Sequence, residues 1–377
     1  MSWESRGLIE IADLTLGKML DQKKNKGELL PYLANVNVRW GSFDLNELRE
    51  MRFEPHEVER YGLQYGDIVM CEGGEPGRCA IWKEQAPRMM IQKALHRIRP
   101  KEGVDGDFLY YSLVNEGMRG RFSSLFTGST IKHLPKEKLS KVLLSIPSYR
   151  DQKEISYLLS SYDELIGNNK RRIQLLEESA HLLYKEWFVH LRFPGHEHVK
   201  ITNGVPEGWE PLPLGDLITL QRGFDLPVSK RIEGEVPIYA STGITGYHAE
   251  PKVSGPGVVT GRSGSLGQVM YVSCDYWPLN TTLWVKAFKK IRPHFARHLL
   301  AGLHLEQYNG GAAVPTLNRN DVHRIQVLLP PPMLLSLFEE QAMDFYRQVD
   351  ILTKANERLA RARDLLLPKL MSGELAA

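Results

Sequence analysis

The sequence predicts an α+β chain of two similar globular domains, each followed by a long α-helix, with the two helices packed on one another. Three observations predict it. The chain repeats itself once over a long period. Each copy closes with a stripe of apolar residues spaced alternately by four and three. Inside each copy, short strand-like runs bounded by glycines are mixed with helical stretches.

The repeat opens where Trp3-Glu4 recurs as Trp209-Glu210, after which Leu8, Leu14 and Gly17 fall opposite Leu214, Leu220 and Gly223. GDIVMCEGGEPGRCAIW (66–82) then aligns without a gap on PGVVTGRSGSLGQVMYV (256–272), so that Gly74 meets Gly264 and Gly77 meets Gly267. IQKAL (91–95) meets LNTTL (279–283). The clearest match is IKHLPKEKLSKVLLSIP (131–147) on VPTLNRNDVHRIQVLLP (314–330), ending with Pro147 on Pro330. The separation between copies shrinks slowly along the chain, as differing loop lengths on one shared fold produce.

The closing stripes follow. Ile155, Leu159, Tyr162, Ile166, Asn169, Ile173, Leu176, Ala180, Leu183 and Trp187 form one seam. Phe338, Ala342, Phe345, Val349, Leu352, Asn356, Leu359, Arg363, Leu366 and Leu370 form the other. Two seams of this length, each ending a repeat, point to helix-on-helix pairing. Asn169 and Asn356 sit on the seams, where a buried Asn fixes register at some loss of stability. Pro368 is expected to bend the last turn. The boundaries are a first domain at 1–149, a helix at 150–191, a Gly/Pro/His-rich connector at 192–204, a second domain at 205–332 and a second helix at 333–377. Strand signals fall at 67–71, 78–82, 258–260, 268–272 and 282–288, and helix signals at 106–118 and 293–307.

At 377 residues, with 42% hydrophobic and 25% charged residues, the chain has the composition of a soluble globular protein of two or three domains. Lys+Arg 48 against Asp+Glu 45 leaves a net charge of +3. So small an excess neither requires nor excludes nucleic acid. Three cysteines, Cys71, Cys79 and Cys274, are too few for a disulfide framework, and their spacing is not a zinc pattern, so no metal site is expected. The acidic N-terminal stretch does not read as a signal peptide, and no run approaches the ~20 apolar residues of a membrane span. No membrane partner and a cytoplasmic location are therefore expected.

Catalytic equipment is missing from the sequence. There is no phosphate-binding G-x-x-x-x-G-K-[S/T], no dinucleotide G-x-G-x-x-G, and no polar residue before Pro-Pro-aromatic of the kind that methylates adenine. PGHEHVK (194–200) reads as a solvated loop. No catalytic residue is assigned.

Side chains suited to duplex phosphates and base edges do occur, in corresponding loops of both copies. The first copy offers Lys18, Lys23, Lys24 and Lys26, then Arg39, then Ser129, Thr130, Lys132 and His133. The second offers Arg222, Arg262, Ser263, Asn280, Thr281, Asn309, Asn318 and Arg319. The glycine run 261–267 reads as a tight turn between strands whose bare backbone and Arg262 also suit phosphates. From these residues alone a different class stays open: an interaction protein with a coiled-coil stalk, binding protein or glycan.

At this point the chain resembles the specificity subunits of type I restriction–modification systems. PYLANVNVRWGSFDL (31–45) is similar to the early strand segment of their target-recognition domains. TGSTIKHL (127–134), the run ending at Pro147, and DQKEI (151–155) are similar to the exit into a spacer helix. RRIQLLEESAHLLYKEWF (171–188) is similar to the first spacer helix, and LPPP (329–332) with KLMSGEL (369–375) to the second exit and helix end. MLLSLFEEQ (333–341) departs from DQKEI, which leaves the fine alignment of the second helix open. The resemblance implies an antiparallel coiled coil with pseudo-two-fold symmetry. It implies two target-recognition domains, each reading half of a split, asymmetric site in double-stranded DNA. It also implies methyltransferase subunits that carry S-adenosylmethionine, and a restriction subunit that brings ATP- and Mg-dependent chemistry.

Overall fold

The computed structural model describes residues 3–21, 25–310 and 315–376. Two long helices, Tyr149–Tyr184 and Pro332–Met371, organise it. The chain divides into two units, Met1–Asn168 with Asn356–Ala377, and Asn169–Ala355. Both divisions fall inside the long helices. Each unit therefore holds one globular domain, part of the helix that follows it and part of the helix that follows the other domain.

In the first unit, an antiparallel sheet runs in the order Ala12–Leu16, Leu95–Pro100, Ile68–Cys71, Cys79–Ile81. A second sheet runs Arg49–Phe53, Glu28–Leu33, Met90–Ile91, and entry and exit strands Glu4–Gly7 and Leu143–Ile146 pair antiparallel. The second unit repeats the plan. Its main sheet runs Ile218–Arg222, Thr282–Phe288, Gly257–Gly261, Val269–Val272, and its second runs Gly243–His248, Val236–Ala240, Trp277–Pro278. Glu210–Pro213 and Gln326–Leu329 close it. Ile68–Cys71 and Gly257–Gly261 are buried at every position; the first reads as a short unbroken apolar run, and the second admits Thr260 because its hydroxyl donates to the Gln268 carbonyl at 2.9 Å.

Gly17 and Gly223 show why the repeat keeps its glycine. A Cβ at Gly17 would lie 2.4 Å from the Gln92 carbonyl oxygen, and one at Gly223 2.2 Å from that of Leu279. The chain passes directly over a neighbouring strand end there, and its amides donate to Leu95 and Thr282 at 3.0 and 3.1 Å. The helix Gly106–Met118 starts on an Asp105 cap, whose carboxylate accepts from the Phe108 amide at 2.9 Å.

Two local expectations need correction. The helix expected at 293–307 stops at Gly302, because His304 takes a left-handed φ of 49° and a 3₁₀ turn, Leu305–Tyr308, follows. The first long helix ends at Tyr184 and continues as one π turn, Lys185–Val189. The connector has the exposed stretch 194–198 expected of a solvated loop, and it is anchored on either side: Phe193 is buried against Trp209, with ring centroids 5.5 Å apart, and Ile201–Thr202 pairs with Val205–Pro206.

The two helices run antiparallel within each unit. In the first, Ile155 and Leu159 share a core with Leu367, Leu370 and Met371, and with Phe108, Leu109 and Tyr111 of the domain helix. In the second, Ala180, Tyr184 and Trp187 share a core with Leu334, Leu335, Phe338, Ala342 and Tyr346. Ile155, Leu159, Ile166, Ala180, Trp187, Phe338, Ala342, Leu352 and Leu370 are buried, and every other seam position is half-buried, Asn169, Ile173, Leu176, Leu183, Val349, Asn356, Leu359 and Leu366 among them.

The two three-helix junctions use different chemistry. In the first unit, Tyr111 donates to Asp163 at 2.6 Å, and Arg363 reaches across to Asp163 and to Asp364. Burial opposes the Arg363 charge, but the two carboxylates more than offset it and raise the guanidinium pKa above its ordinary value. In the second unit the junction is aromatic. His298 stacks on Tyr184 at 5.4 Å and on His181 at 6.0 Å, accepts from Arg297 at 3.0 Å, and bonds Tyr346 at 3.2 Å. His294 bonds Glu339 at 2.7 Å.

Burial, helped by the Arg297 charge, pushes the His298 pKa down to about 2. The unfolded chain takes that proton near pH 6.5, so the neutral ring contributes stability that is complete above about 6.5 and lost as pH falls toward 2. Below 6.5 the loss approaches about 1.4 kcal/mol per pH unit. Urea melts at pH 7.5 and 5.5 should show this fall, and His298→Asn should shrink the difference between the two. An unchanged difference in the variant counts against the buried neutral ring.

Candidate nucleic-acid interface

The loops that carry most of the candidate contacts hang on one backbone frame, present in both units. In the first, the Glu72 amide donates to Ala94 at 2.8 Å, the Leu134 amide donates to Glu72 at 2.8 Å, and Gly73 bridges His133. In the second, the Arg262 amide donates to Thr281 at 2.8 Å, the Leu317 amide donates to Arg262 at 2.8 Å, and Ser263 bridges Thr316. Three chain segments are thus pinned together by main-chain bonds that do not depend on side-chain identity.

The frame of the first unit holds the loop with Ser129, Thr130 and Lys132, all exposed, closed by reciprocal Thr127 and His133 bonds of 2.9 Å. Gly128 sits at φ 91°, and a Cβ there would lie 2.2 Å from the Ile131 carbonyl oxygen. His133 bonds Glu72 at 3.0 Å, with 45% of its side chain exposed against 20% for Glu72. Lys26 is exposed ahead of Glu28–Leu33. Arg39 is exposed but donates to the Val36 carbonyl at 2.6 Å and pairs with Asp44 at 3.5 Å. Lys23 and Lys24 lie outside the described residues.

Lys18 requires a correction. It is buried, 2.5 Å from Glu57 and 2.8 Å from the Arg52 carbonyl, with its ammonium 5.1 Å from the Phe53 ring centre. Burial opposes ionisation of Glu57, but bonds from Lys18 and the Glu54 amide hold its carboxyl below the ordinary range. This cation closes a structural ion pair and is not presented to a phosphate.

In the second unit the frame gathers Arg262, Ser263, Thr281, Asn309 and Asn318. Asn309 accepts from the Thr316 amide at 2.9 Å, and Gly310 donates to Thr316 at 3.0 Å. Two of these are spent locally. The Thr281 hydroxyl is buried, and its carbonyl holds Arg262 and Ser263, so this residue shapes the turn. Asn318 caps Arg319–His323, accepting from the Asn320 amide at 3.0 Å. Asn280 bonds Asp225. Arg222, at the end of its strand, and Arg319 are exposed. Arg262 is a half-buried residue, and its guanidinium makes no hydrogen bond or ion pair among the described residues.

Sequence reasoning missed Glu72, although the gapless alignment starting at Gly66 and Pro256 places it opposite Arg262. Also missed was a partly exposed arrangement in which Trp40 donates to Glu75 at 2.9 Å, Glu75 pairs with Arg78 at 2.7 Å, and Arg78 donates to the Asn35 carbonyl at 2.8 Å. Its members come from two segments, 35–40 and 75–78, that are distant in sequence. Among the described residues, Glu54, His56 and Glu57 form a group with metal-donor atoms within mutual reach, but Glu57 is taken by Lys18. Cys71 and Cys79 are buried, and burial pushes both thiols up.

Two similar α+β units, each containing parts of both long helices, define the class of fold, and comparison with known proteins shows what the chain is similar to. Residues 2–178 match the family of the type I restriction modification DNA specificity domain. The chain is 25% identical to the type I restriction enzyme MjaIX specificity subunit of Methanocaldococcus jannaschii, over 82% of this chain and 78% of that protein. It is 22% identical to the putative MjaX specificity subunit of the same organism, over 99% and 93%. It shares its fold with the crystal structure of a type I S subunit from M. genitalium, at a TM-score of 0.59 and 19% identity, covering 98% of this chain and 96% of that one. Residues 2–178 are thus similar to a type I restriction modification DNA specificity domain, and the chain along most of its length is similar to curated specificity subunits. No helix is long and apolar enough to cross a membrane among the described residues.

Lys18 and Lys132 should behave oppositely. Lys18→Met should lower stability by about 1–3 kcal/mol, since it strands the Glu57 carboxylate, and leave the salt dependence of DNA binding unchanged. Lys132→Ala should leave stability within about 0.5 kcal/mol and reduce the slope of log affinity against log salt by about one. Thermal melts and salt-titrated anisotropy on a duplex check both. A reduced slope in Lys18→Met would contradict the assignment.

Proposed function

We propose that this chain is the non-catalytic, DNA-reading specificity subunit of a type I restriction–modification complex. Each unit reads one half of a bipartite, asymmetric site. The observation that carries this is the duplicated loop frame: the same main-chain bonds recur in both units while the side chains they present differ. Glu72 and His133 stand where Arg262 and Thr316 stand. One scaffold displaying unlike polar groups is what reading two unlike half-sites requires, since base edges are distinguished by donor and acceptor pattern.

The helices supply the geometry. A helix of 40 residues, the length of Pro332–Met371, spans about 60 Å at ~1.5 Å per residue. Antiparallel pairing of equivalent helices suits the two-fold character of duplex DNA, whose successive major-groove faces lie ~34 Å apart. The helices also carry outward apolar side chains, Leu165, Leu175, Leu182, Ile351 and Leu365, at 44–70% exposure. Such residues suit protein partners. Methyltransferase subunits would dock there and bring S-adenosylmethionine and the adenine chemistry. A restriction subunit would bring ATP and Mg. These partners and substrates place the complex in the cytoplasm.

Exchanging residues 205–332 for the corresponding domain of another specificity subunit should change one half of the methylated motif and leave the other half intact. Methylome sequencing of the host expressing the complex reads this out. A change in both halves would overturn modular reading.

A further inference from the structure

Positions 72 and 262 occupy the same place in the two frames. The amide at each donates to the same neighbouring loop, Ala94 or Thr281, and the carbonyl at each accepts from the same incoming segment, Leu134 or Leu317. Each is followed by a glycine at a left-handed φ, Gly74 at 82° and Gly264 at 83°, which turns the chain away beyond it. The backbone is therefore fixed on both sides, and the side chain is what varies. It varies to opposite charge.

Their immediate surroundings differ in a matching way. Glu72 is held by His133, which is exposed on its outer side. An ionised carboxylate only accepts, so the imidazole Nδ1 must be the donor in that 3.0 Å bond. At the corresponding position Thr316 bridges Ser263, and Arg262, a half-buried residue, has no ion partner among the described residues. A guanidinium on a rigid turn without an internal acid keeps its donor fork available to an acceptor outside the protein.

From this juxtaposition we infer that Glu72 and Arg262 are specificity-determining residues that read opposite members of a base pair type: Arg262 the O6 and N7 acceptors of a guanine, Glu72 the N4 amino group of a cytosine. The fork of Arg262 matches two guanine acceptors, and a carboxylate matches a cytosine donor. His133 is a positioning residue that holds the carboxylate in place. The loop lysine and serine beside it, Lys132 and Ser129, are exposed and suit the backbone of the same strand. The assignment presupposes the DNA-reading function proposed above.

The test uses the full complex of this chain with its methyltransferase partner, expressed in a host whose own genome is the probe. Methylome sequencing compares wild type, Arg262→Ala, Arg262→Lys and Glu72→Ala. Arg262→Ala should make one G·C position of one half-site degenerate, with discrimination there falling on the order of tenfold to a hundredfold, and leave the other half-site as in wild type. Glu72→Ala should do the same in the other half-site. Arg262→Lys keeps the charge and loses the fork, so it should also relax that position. It keeps the proposal testable if the alanine variant melts early. Uniformly weaker methylation with an intact motif in Arg262→Ala or Arg262→Lys would make this residue a phosphate contact and overturn the inference. A fully unchanged motif would overturn it too. Neither result touches the proposed function, which fails instead if the wild-type complex yields no bipartite motif.

Discussion

The structure depends on the antiparallel contact between the two long helices. Neither domain closes its core with its own helix alone. In the first unit, Leu367, Leu370 and Met371, from the far end of the second helix, fill the space beside Ile155, Leu159 and Phe108. In the second, Tyr184 and Trp187, from the far end of the first helix, pack on Phe338 and Phe295. Burying side chains of this size is worth about 1.5–3 kcal/mol each. Separating the helices would expose several such groups in both units at once. This explains why the seams alternate by four and three along their full length: the contact serves a different domain at each end.

The polar junctions refine that contact. A carboxylate–guanidinium set in one unit and a neutral histidine–tyrosine set in the other cannot substitute for each other. A helix end brought to the wrong unit would leave Asp163 without Arg363, or His298 without Tyr346. Apolar seams provide most of the attraction, and the buried polar groups provide the discrimination between ends.

Much of this was legible in the sequence because it rests on periodicity and repetition. Heptad spacing shows the seams directly, and the Gly17/Gly223 match marks a backbone crossing that tolerates no Cβ. The failures have a common physical source. Lys18 looks like a surface lysine because its partners, Glu57 and Phe53, are brought to it only by the tertiary fold. Thr281 looks like a polar contact because burial of one hydroxyl is decided by the turn around it. Division of each helix between two units also has no local signature. Glu72 is the instructive case: the alignment already set it opposite Arg262, but an acid among candidate DNA contacts gains meaning only when the shared frame is seen.

The most direct test of the antiparallel contact is a thiol cross-link. With Cys274, the exposed cysteine, replaced by Ser, cysteines at positions 163 and 363 should be joined rapidly by a short bismaleimide, because Asp163 and Arg363 touch. Cysteines at 163 and 346, which stand at equivalent places in the two helices, eight residues past Ile155 and Phe338, and would meet only if the helices ran parallel, should stay unlinked. Peptide mass spectrometry identifies the joined pair. Efficient 163–346 linkage with no 163–363 product would contradict the arrangement on which both units rest.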